Sequence, residues 1–326
     1  MAGVDATAGK DRETVVSLAG VRKSFGATRA LDGVSFAVGR GELFGVIGPD
    51  GAGKTTSLRL ICGLMAPDAG DVRVFGHDPF RSHRAATAAI GYVSQRFSLY
   101  GDLSIDENIE FFARLHGVRR FHDARNRLLE LTGLTPFRTR LADRLSGGMK
   151  QKLALACTLV HEPPMLVLDE PTTGVDPVSR REFWKLLAEF RAEGLTIVFA
   201  TPYLDEAERC SRIALLNEGH LLALDDPSHL RASLSGTILE IVVKPVRRGL
   251  DVLRESLTPD AVQLFGDRLH VHIDADQDQS RVEALLADAG LVPESLRAVT
   301  PSLEDVFIDH LAALSASGEA HAEAGR

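Results

Sequence analysis

The apolar run ELFGVIG leads straight into GPDGAGKTT, residues 48–56, and then into the helical pattern TSLRLICGL. Those nine residues match the spacing G-x-x-x-x-G-K-[ST] at Gly48, Gly53, Lys54 and Thr55. Such a loop turns its backbone N–H groups inward around a phosphate, and the helix that follows points its positive end at the anion. Gly48, Asp50, Gly51, Gly53, Lys54, Thr55 and Thr56 therefore form the candidate cradle. Lys54 would neutralise β/γ oxygens, and the Thr55 hydroxyl would ligate Mg2+. The bland alternative is a glycine-rich turn that binds nothing, but strand before and helix after are the context the chemistry needs. Gly63 can end the helix.

A chain of 326 residues, 44% hydrophobic, can bury a full core, and its length fits one large domain with a smaller one. The net charge of −8, from 37 Lys+Arg against 45 Asp+Glu, provides no general attraction to nucleic acid or anionic lipid, so no nucleic-acid partner is expected. Apolar runs such as LALACTLV fall short of the roughly 20 residues a membrane helix needs. The start, MAGVDATAGKDRE, lacks the pattern of a secretory signal, and the expected compartment is the cytosol. Cys62, Cys157 and Cys210 are odd in number and widely spaced, which fits reduced, buried thiols.

Residues 15 to about 230 alternate short apolar runs with helical patterns, as a helix-covered parallel sheet does; ELFGVIG, PMLVLD, TIVFAT and RIALLN are its clearest strands. From about 235 to 314 the pattern changes to TILEIVVK, RGLDVLRESL, AVQLF, RLHVHID, SRVEALLADAG and SLRAVT. That order reads βαββαβ, an α+β unit of ferredoxin-like type. A last helix should follow, with Ser302 and Asp305 at capping-box spacing. Residues 1–14 and 315–326 read as loose tails. His270 and His272 share a strand face; two ligands without a third favour packing over a metal.

MLVLDE ends a buried strand in two acids. Asp169 can hold the Mg2+ shell and Glu170 can polarise a water attacking the γ-phosphate, unless the pair merely caps the turn at Pro171. Upstream, in RLSGGMKQKLALACTLV, Ser146 is a plausible N-cap and Gly147-Gly148 leave the helix tip bare, a second anion site on the same chain. One nucleotide has no use for two unrelated cradles from one face.

Taken in order, GPDGAGKTT, YVSQ, LSGGM, MLVLDE and GVD resemble the nucleotide-binding domain of ABC transporters over residues 15 to 225. The resemblance implies an α/β P-loop NTPase cassette, a RecA-like core with a helical subdomain, that binds and hydrolyses ATP with Mg2+. It further implies a second cassette, identical or different, packed head to tail so that Ser146, Gly147 and Gly148 of one close over the ATP held by Lys54 of the other. Gln95 matches the glutamine that reaches Mg2+ and water, with Thr55 and Asp169 as the other metal-side residues. Phe25 is similar to the aromatic that stacks on adenine, a core phenylalanine being its competitor. Asp176 matches the aspartate that reaches across the dimer, a helix cap being its competitor. Phe97, Leu99 and Tyr100 either line the socket for a permease helix or pack inside the domain.

The family's histidine at the end of the TIVFAT strand is replaced by Pro202, which offers neither side-chain donor nor N–H. Asp50 stands for a common asparagine and Met149 for a glutamine. One lost donor to transition-state charge costs about 2.7–4 kcal/mol, so binding should persist while hydrolysis slows; normal turnover by a tolerated variant is the other possibility. SQRFSLYGDLSIDENIEFF, LSGGMKQKLALA and PSLEDVFI look most like ATP-binding subunits of bacterial drug-resistance (ABC-2) exporters, which dock on separate transmembrane permeases at the cytoplasmic face. Two other classes stay open. A soluble ABC ATPase of ribosomes or DNA would carry two cassettes or an inserted coiled coil, for which the 90 residues between Thr55 and Ser146 leave no room. An ATP-sensing or dimerisation module that pairs with an active ATPase is favoured by Pro202.

Overall fold

The computed structural model describes residues 12–95, 99–258, 261–273 and 279–312. The chain divides into two compact units at Leu224/Asp225. This is earlier than the pattern change near 230–235, because Asp226 caps a helix, Pro227–Ser233, that belongs to the second unit.

In the first unit two long strands, β1 (Thr14–Phe25) and β2 (Thr28–Gly39), pair antiparallel. β3 (Leu43–Ile47) is buried along its whole length and runs into the glycine-rich loop and helix α1 (Lys54–Ile61). β4 (Ala69–Val74) joins the other edge of β1, closing a three-stranded sheet of order β2-β1-β4. After α2 (His83–Ala88) and β5 (Ile90–Val93) the chain turns helical: α3 (Ile105–Leu115), α4 (His122–Leu131) and α5 (Gly147–Leu159). α3 starts at a capping box in which Glu107 N–H donates to Ser104 Oγ and Ser104 N–H to Glu107 Oε2. Asn108, fully buried, ties the preceding loop by donating from Nδ2 to the carbonyls of Tyr100, Leu103 and Ser104.

The chain then returns to the sheet through β6 (Met165–Asp169), α6 (Pro177–Ala192), β7 (Thr196–Thr201), the short α7 (Leu204–Ala207), β8 (Arg212–Asn217) and β9 (His220–Asp225). Six strands lie in the order β5-β6-β7-β3-β8-β9. β6 and β7 bury every residue, as near-continuous apolar runs do when helices cover both faces of a parallel sheet. Their register positions the site. Ile47 lies beside Thr201, and Asp169 beside Ala200, so the loops after β3, β6 and β7 all leave from one edge. Ligands of open α/β sheets bind at that edge. α1 packs between the sheets, and the stacked rings of Phe36 and Phe44, centroids 5.2 Å apart, join them. Each such fully buried side chain contributes roughly 1.5–3 kcal/mol.

The second unit begins with α8 (Pro227–Ser233), followed by β10 (Thr237–Val242), α9 (Val246–Ser256), β11 (Val262–Phe265), β12 (Arg268–Ile273), α10 (Gln279–Asp288) and β13 (Ser295–Val299). Its four strands pair antiparallel in the order β11-β12-β10-β13. Leu239, Ile241, Leu269 and Val271 pack with Leu253 of α9 and Leu286 of α10 in its core. A last helix, 303–312, starts at the expected cap, where Ser302 N–H donates to Asp305 Oδ2 and Asp305 N–H to Ser302 Oγ. His270 contacts Asp305 (3.1 Å) and His272 contacts the Ser235 carbonyl (2.6 Å). Among the described residues no group of three or more potential ligands is placed to hold a metal. Cys62, Cys157 and Cys210 are free and buried. No helix among the described residues is long and apolar enough to cross a membrane.

Beside α3 and α5, the His116 and His161 rings stack with centroids 3.9 Å apart. Burial, reinforced by the His116 charge, pushes His161 down to about 4. The folded chain thus binds this proton less readily than the unfolded one, with no effect above about pH 6.5 and a growing loss of stability as pH falls toward 4. The melting midpoint of the first unit should fall between pH 7 and pH 5, by about 2–4 °C for each kcal/mol lost. His161→Phe, which keeps a ring on His116, should flatten that dependence in a calorimetric pH series.

Candidate nucleotide site

Gly53 takes φ +102, and a Cβ there would meet the Ala30 carbonyl at 2.5 Å, so this turn admits glycine alone. The turn brings Lys54 under its own loop. Its ammonium, 4% exposed, donates to the carbonyls of Gly48 (2.8 Å) and Pro49 (2.9 Å) and lies 3.6 Å from Glu170 Oε1. Asp50 is solvent-exposed at the bend, 3.9 Å from Lys54 Nζ. Gly51 stands at φ +82, and Thr56 is half-buried in the first turn of α1.

The Thr55 hydroxyl donates to Asp169 Oδ1 (2.9 Å), joining α1 to the tip of β6. Tyr92 on β5 donates to the other oxygen (3.4 Å). Burial raises the Asp169 carboxyl above the ordinary range, and the Thr55 hydrogen bond opposes that rise. A hydroxyl and a carboxylate whose charge is penalised by burial make an oxygen-only set suited to a hard divalent cation. The residues therefore fit Mg2+.

Glu170 occupies the left-handed region at φ 49, a conformation that costs about 1–3 kcal/mol in a residue with a Cβ and points to a constrained role. Its N–H donates to the Ala200 carbonyl (2.9 Å). Gln95 Nε2 (3.0 Å) and the Thr173 hydroxyl (3.3 Å) donate to Glu170 Oε2. Lys54, Thr55, Gln95, Asp169 and Glu170 thus form one connected group.

Ser146, Gly147 and Gly148 lie elsewhere on the unit. Ser146 caps α5, its Oγ accepting from Met149 N–H (3.3 Å), and a Cβ on Gly148 would strike Ser179 Oγ at 2.3 Å. Their described contacts run to α5 and α6, none to the Lys54 loop. Asp176 caps α6, accepting from the N–H groups of Val178 (3.1 Å) and Ser179 (3.0 Å). Phe25 is 51% exposed at the end of β1, with Lys23 Nζ 5.7 Å from its ring centroid, and is not a core residue. Tyr100 is 45% exposed and tilts against Phe111 at 4.5 Å; Leu99 is half-buried, and Phe97 lies outside the described residues. At Pro202 the turn is closed by Tyr203 N–H donating to Thr201 Oγ1 (3.2 Å), with no side-chain donor at position 202 itself.

The sequence pattern missed Tyr92, Thr173 and Glu206. Glu206 is 1% exposed and accepts hydrogen bonds from Thr172, Thr201 and Trp184. PYLDEAE holds three acids, and nothing local distinguishes the one that turns inward.

A phosphate loop, a strand-tip carboxylate pair and a parallel sheet define this unit as a P-loop nucleotide-binding cassette. Comparison with known proteins agrees: residues 31–173 match the ABC transporter family. The chain is 41% identical over 311 residues to the probable multidrug ABC transporter ATP-binding protein YbhF of Escherichia coli K12, covering 92% of this chain and 52% of YbhF, about half that relative's length. It is 35% identical over 301 residues to the daunorubicin resistance ATP-binding protein DrrA3 of Streptomyces coeruleorubidus, covering 91% of this chain and 95% of DrrA3. A dimeric bacterial ABC transporter cassette superposes with a TM-score of 0.57 at 27% identity, covering 65% of this chain and 98% of that one. The chain belongs to the ATP-binding proteins of the ABC transporter family.

Gly53→Ala should remove binding of a fluorescent ATP analogue altogether, since both backbone angle and space forbid the methyl group. Gly51→Ala, strained in angle but with open space around its Cβ, should weaken binding only partly in the same titration.

Proposed function

We propose that this chain is the ATP-binding and ATP-hydrolysing subunit that powers a separate membrane permease at the cytoplasmic face, exporting drugs or other hydrophobic compounds. The observation that carries this reading is the connected group Lys54–Glu170–Gln95 with Thr55–Asp169 at one sheet edge. The export assignment rests on relatives named for multidrug transport and daunorubicin resistance.

In this reading Lys54 and the loop N–H groups hold the phosphates, while Phe25 stacks on adenine. Thr55 and Asp169, with Gln95, hold Mg2+, which when bound neutralises the β- and γ-oxygens. Glu170 takes the proton of the attacking water, an effect worth about 10²–10⁴ in rate, with Gln95 and Thr173 fixing its Oε2. Ser146, Gly147 and Gly148 act on the nucleotide of a second cassette, with Asp176 beside them; their placement away from the Lys54 loop, and the dimeric relative, support this. The exposed pair of Tyr100, on the loop fixed by Asn108, and Phe111, on α3, belongs to the surface offered to the permease. The second unit reads as a ferredoxin-like accessory domain, supported by its β-α-β-β-α-β order and antiparallel pairing. Pro202 makes the subunit a slow ATPase that binds normally. That same residue favours a second reading, an ATP-sensing subunit paired with an active one.

Pro202→His should raise the ATPase rate, by up to about 10²-fold, at unchanged affinity for the fluorescent analogue. Equal rates in the two forms would remove the slow-ATPase assignment. Glu170→Gln should lower turnover about 10²–10⁴-fold, leaving a measurable residual rate, and with Mg-ATP elute as a dimer. A strictly monomeric form, even with its permease, would overturn the composite site. Hydrolysis absent from the wild type under every condition would select the sensing role.

A further inference from the structure

The buried carboxylate of Glu206 stands between the two loops that matter most to hydrolysis. Oε1 accepts from the Thr172 hydroxyl, two residues beyond Glu170, and from Trp184 Nε1 (3.2 Å). Oε2 accepts from the Thr201 hydroxyl (2.7 Å), directly before Pro202. Thr201 Oγ1 in turn accepts from Tyr203 N–H, and the Thr201 carbonyl accepts from Gly48 N–H (3.4 Å) at the start of the phosphate loop. The Arg180 guanidinium lies 3.9 Å from Glu206 Oε1 and 5.0 Å from the Tyr203 ring centroid, closing the cluster from α6. A carboxylate offers acceptors only, and every group aimed at it is a donor, so the cluster has one self-consistent arrangement.

Glu170 needs such restraint. It sits in the left-handed region, and apart from the Thr172 link it is held by its N–H to Ala200, by Gln95 and Thr173 on Oε2 and by Lys54 3.6 Å from Oε1. The link Thr201–Glu206–Thr172 joins the end of β7 to the Glu170 loop through side chains alone. The described side-chain bonds from the β7 turn to the Glu170 loop run through Glu206.

We propose that Glu206 is a positioning residue for hydrolysis: through Thr172 it sets the place of Glu170 from the β7 turn, while touching neither nucleotide nor metal. The proposal rests on the reading of Glu170 as the group that activates water.

The test uses the full-length chain, with ATPase kinetics, titration of a fluorescent ATP analogue and thermal melting. Thr172→Val is nearly isosteric and removes only the hydroxyl link. It should lower kcat about tenfold, in line with the cost of small misplacements, with KM and analogue affinity within about twofold. Glu206→Gln keeps an acceptor oxygen for Thr172 and Trp184 and should stay within about threefold of wild-type kcat, whereas Glu206→Ala should fall at least as far as Thr172→Val. Because both act through one group, adding Thr172→Val to Glu170→Gln should cause no further loss. A folded Thr172→Val chain with wild-type kcat, or one that loses affinity in step with kcat, would overturn the proposal, as would additive loss in the double variant. Should Glu206→Ala fail to fold, Thr172→Val and Glu206→Gln still decide. If Glu170→Gln itself hydrolyses like the wild type, the reading of the site fails, separately from the clamp.

Discussion

The in-register alignment of three parallel strands is the constraint on which the site depends. β3, β6 and β7 end level with one another, so that Gly48, Asp169–Glu170 and Thr201–Pro202 emerge side by side although they are far apart in the chain. Side chains alternate with a period of two along a strand, and a slip of one residue would turn Asp169 to the other face of the sheet and break its bond to Thr55. The register is held by apolar residues on both faces, including Val167 and Val198, which occupy the core shared with α1. Packing of the sheet and placing of the chemistry are therefore one problem.

Three charged groups are buried at or near that edge: Lys54, Asp169 and Glu206. An unpaired buried charge costs several kcal/mol, so each must be surrounded by groups of the right sign. Lys54 has two carbonyls and the carboxylates of Glu170 (3.6 Å) and Asp50 (3.9 Å) within reach, Asp169 two hydroxyls, and Glu206 two hydroxyls, an indole N–H and the Arg180 guanidinium at 3.9 Å. Both oxygens of Glu206 accept hydrogen bonds. Asp169 is held by neutral donors only and remains receptive to a cation, and Lys54 lies where an anion can replace the loop carbonyls as its partner.

The two units follow different folding rules. The first places β5, β6, β7, β3 and β8 in parallel beside a separate antiparallel sheet of β2, β1 and β4, and the second pairs all its strands antiparallel and builds its own smaller core. Each has a separate hydrophobic core, as a division into units requires. In the sequence the change of rule shows only from about 235, after the helix Pro227–Ser233 that opens the second unit.

The phosphate loop, the acid pair on β6, the serine-glycine helix tip, the strands β3, β6, β7 and β8 and those of the second unit were legible in the sequence, because each depends on residues adjacent in the chain: a turn that tolerates only glycine, a buried run, a cap three residues from its partner; the antiparallel sheet β2-β1-β4, which departs from the expected all-parallel pattern, was not. The bonds of Gln95 and Tyr92 to the two acids, the inward turn of Glu206 among three neighbouring acids, the stacking of His116 on His161 and the start of the second unit at Asp225 were not legible. Each of these depends on which distant segments a side chain faces once the sheet has closed. Local sequence determined the backbone conformations and the chemical types on offer. Only tertiary packing decided which carboxylates lost their water and which donors replaced it, because desolvation is set by every element around a group and not by its neighbours along the chain.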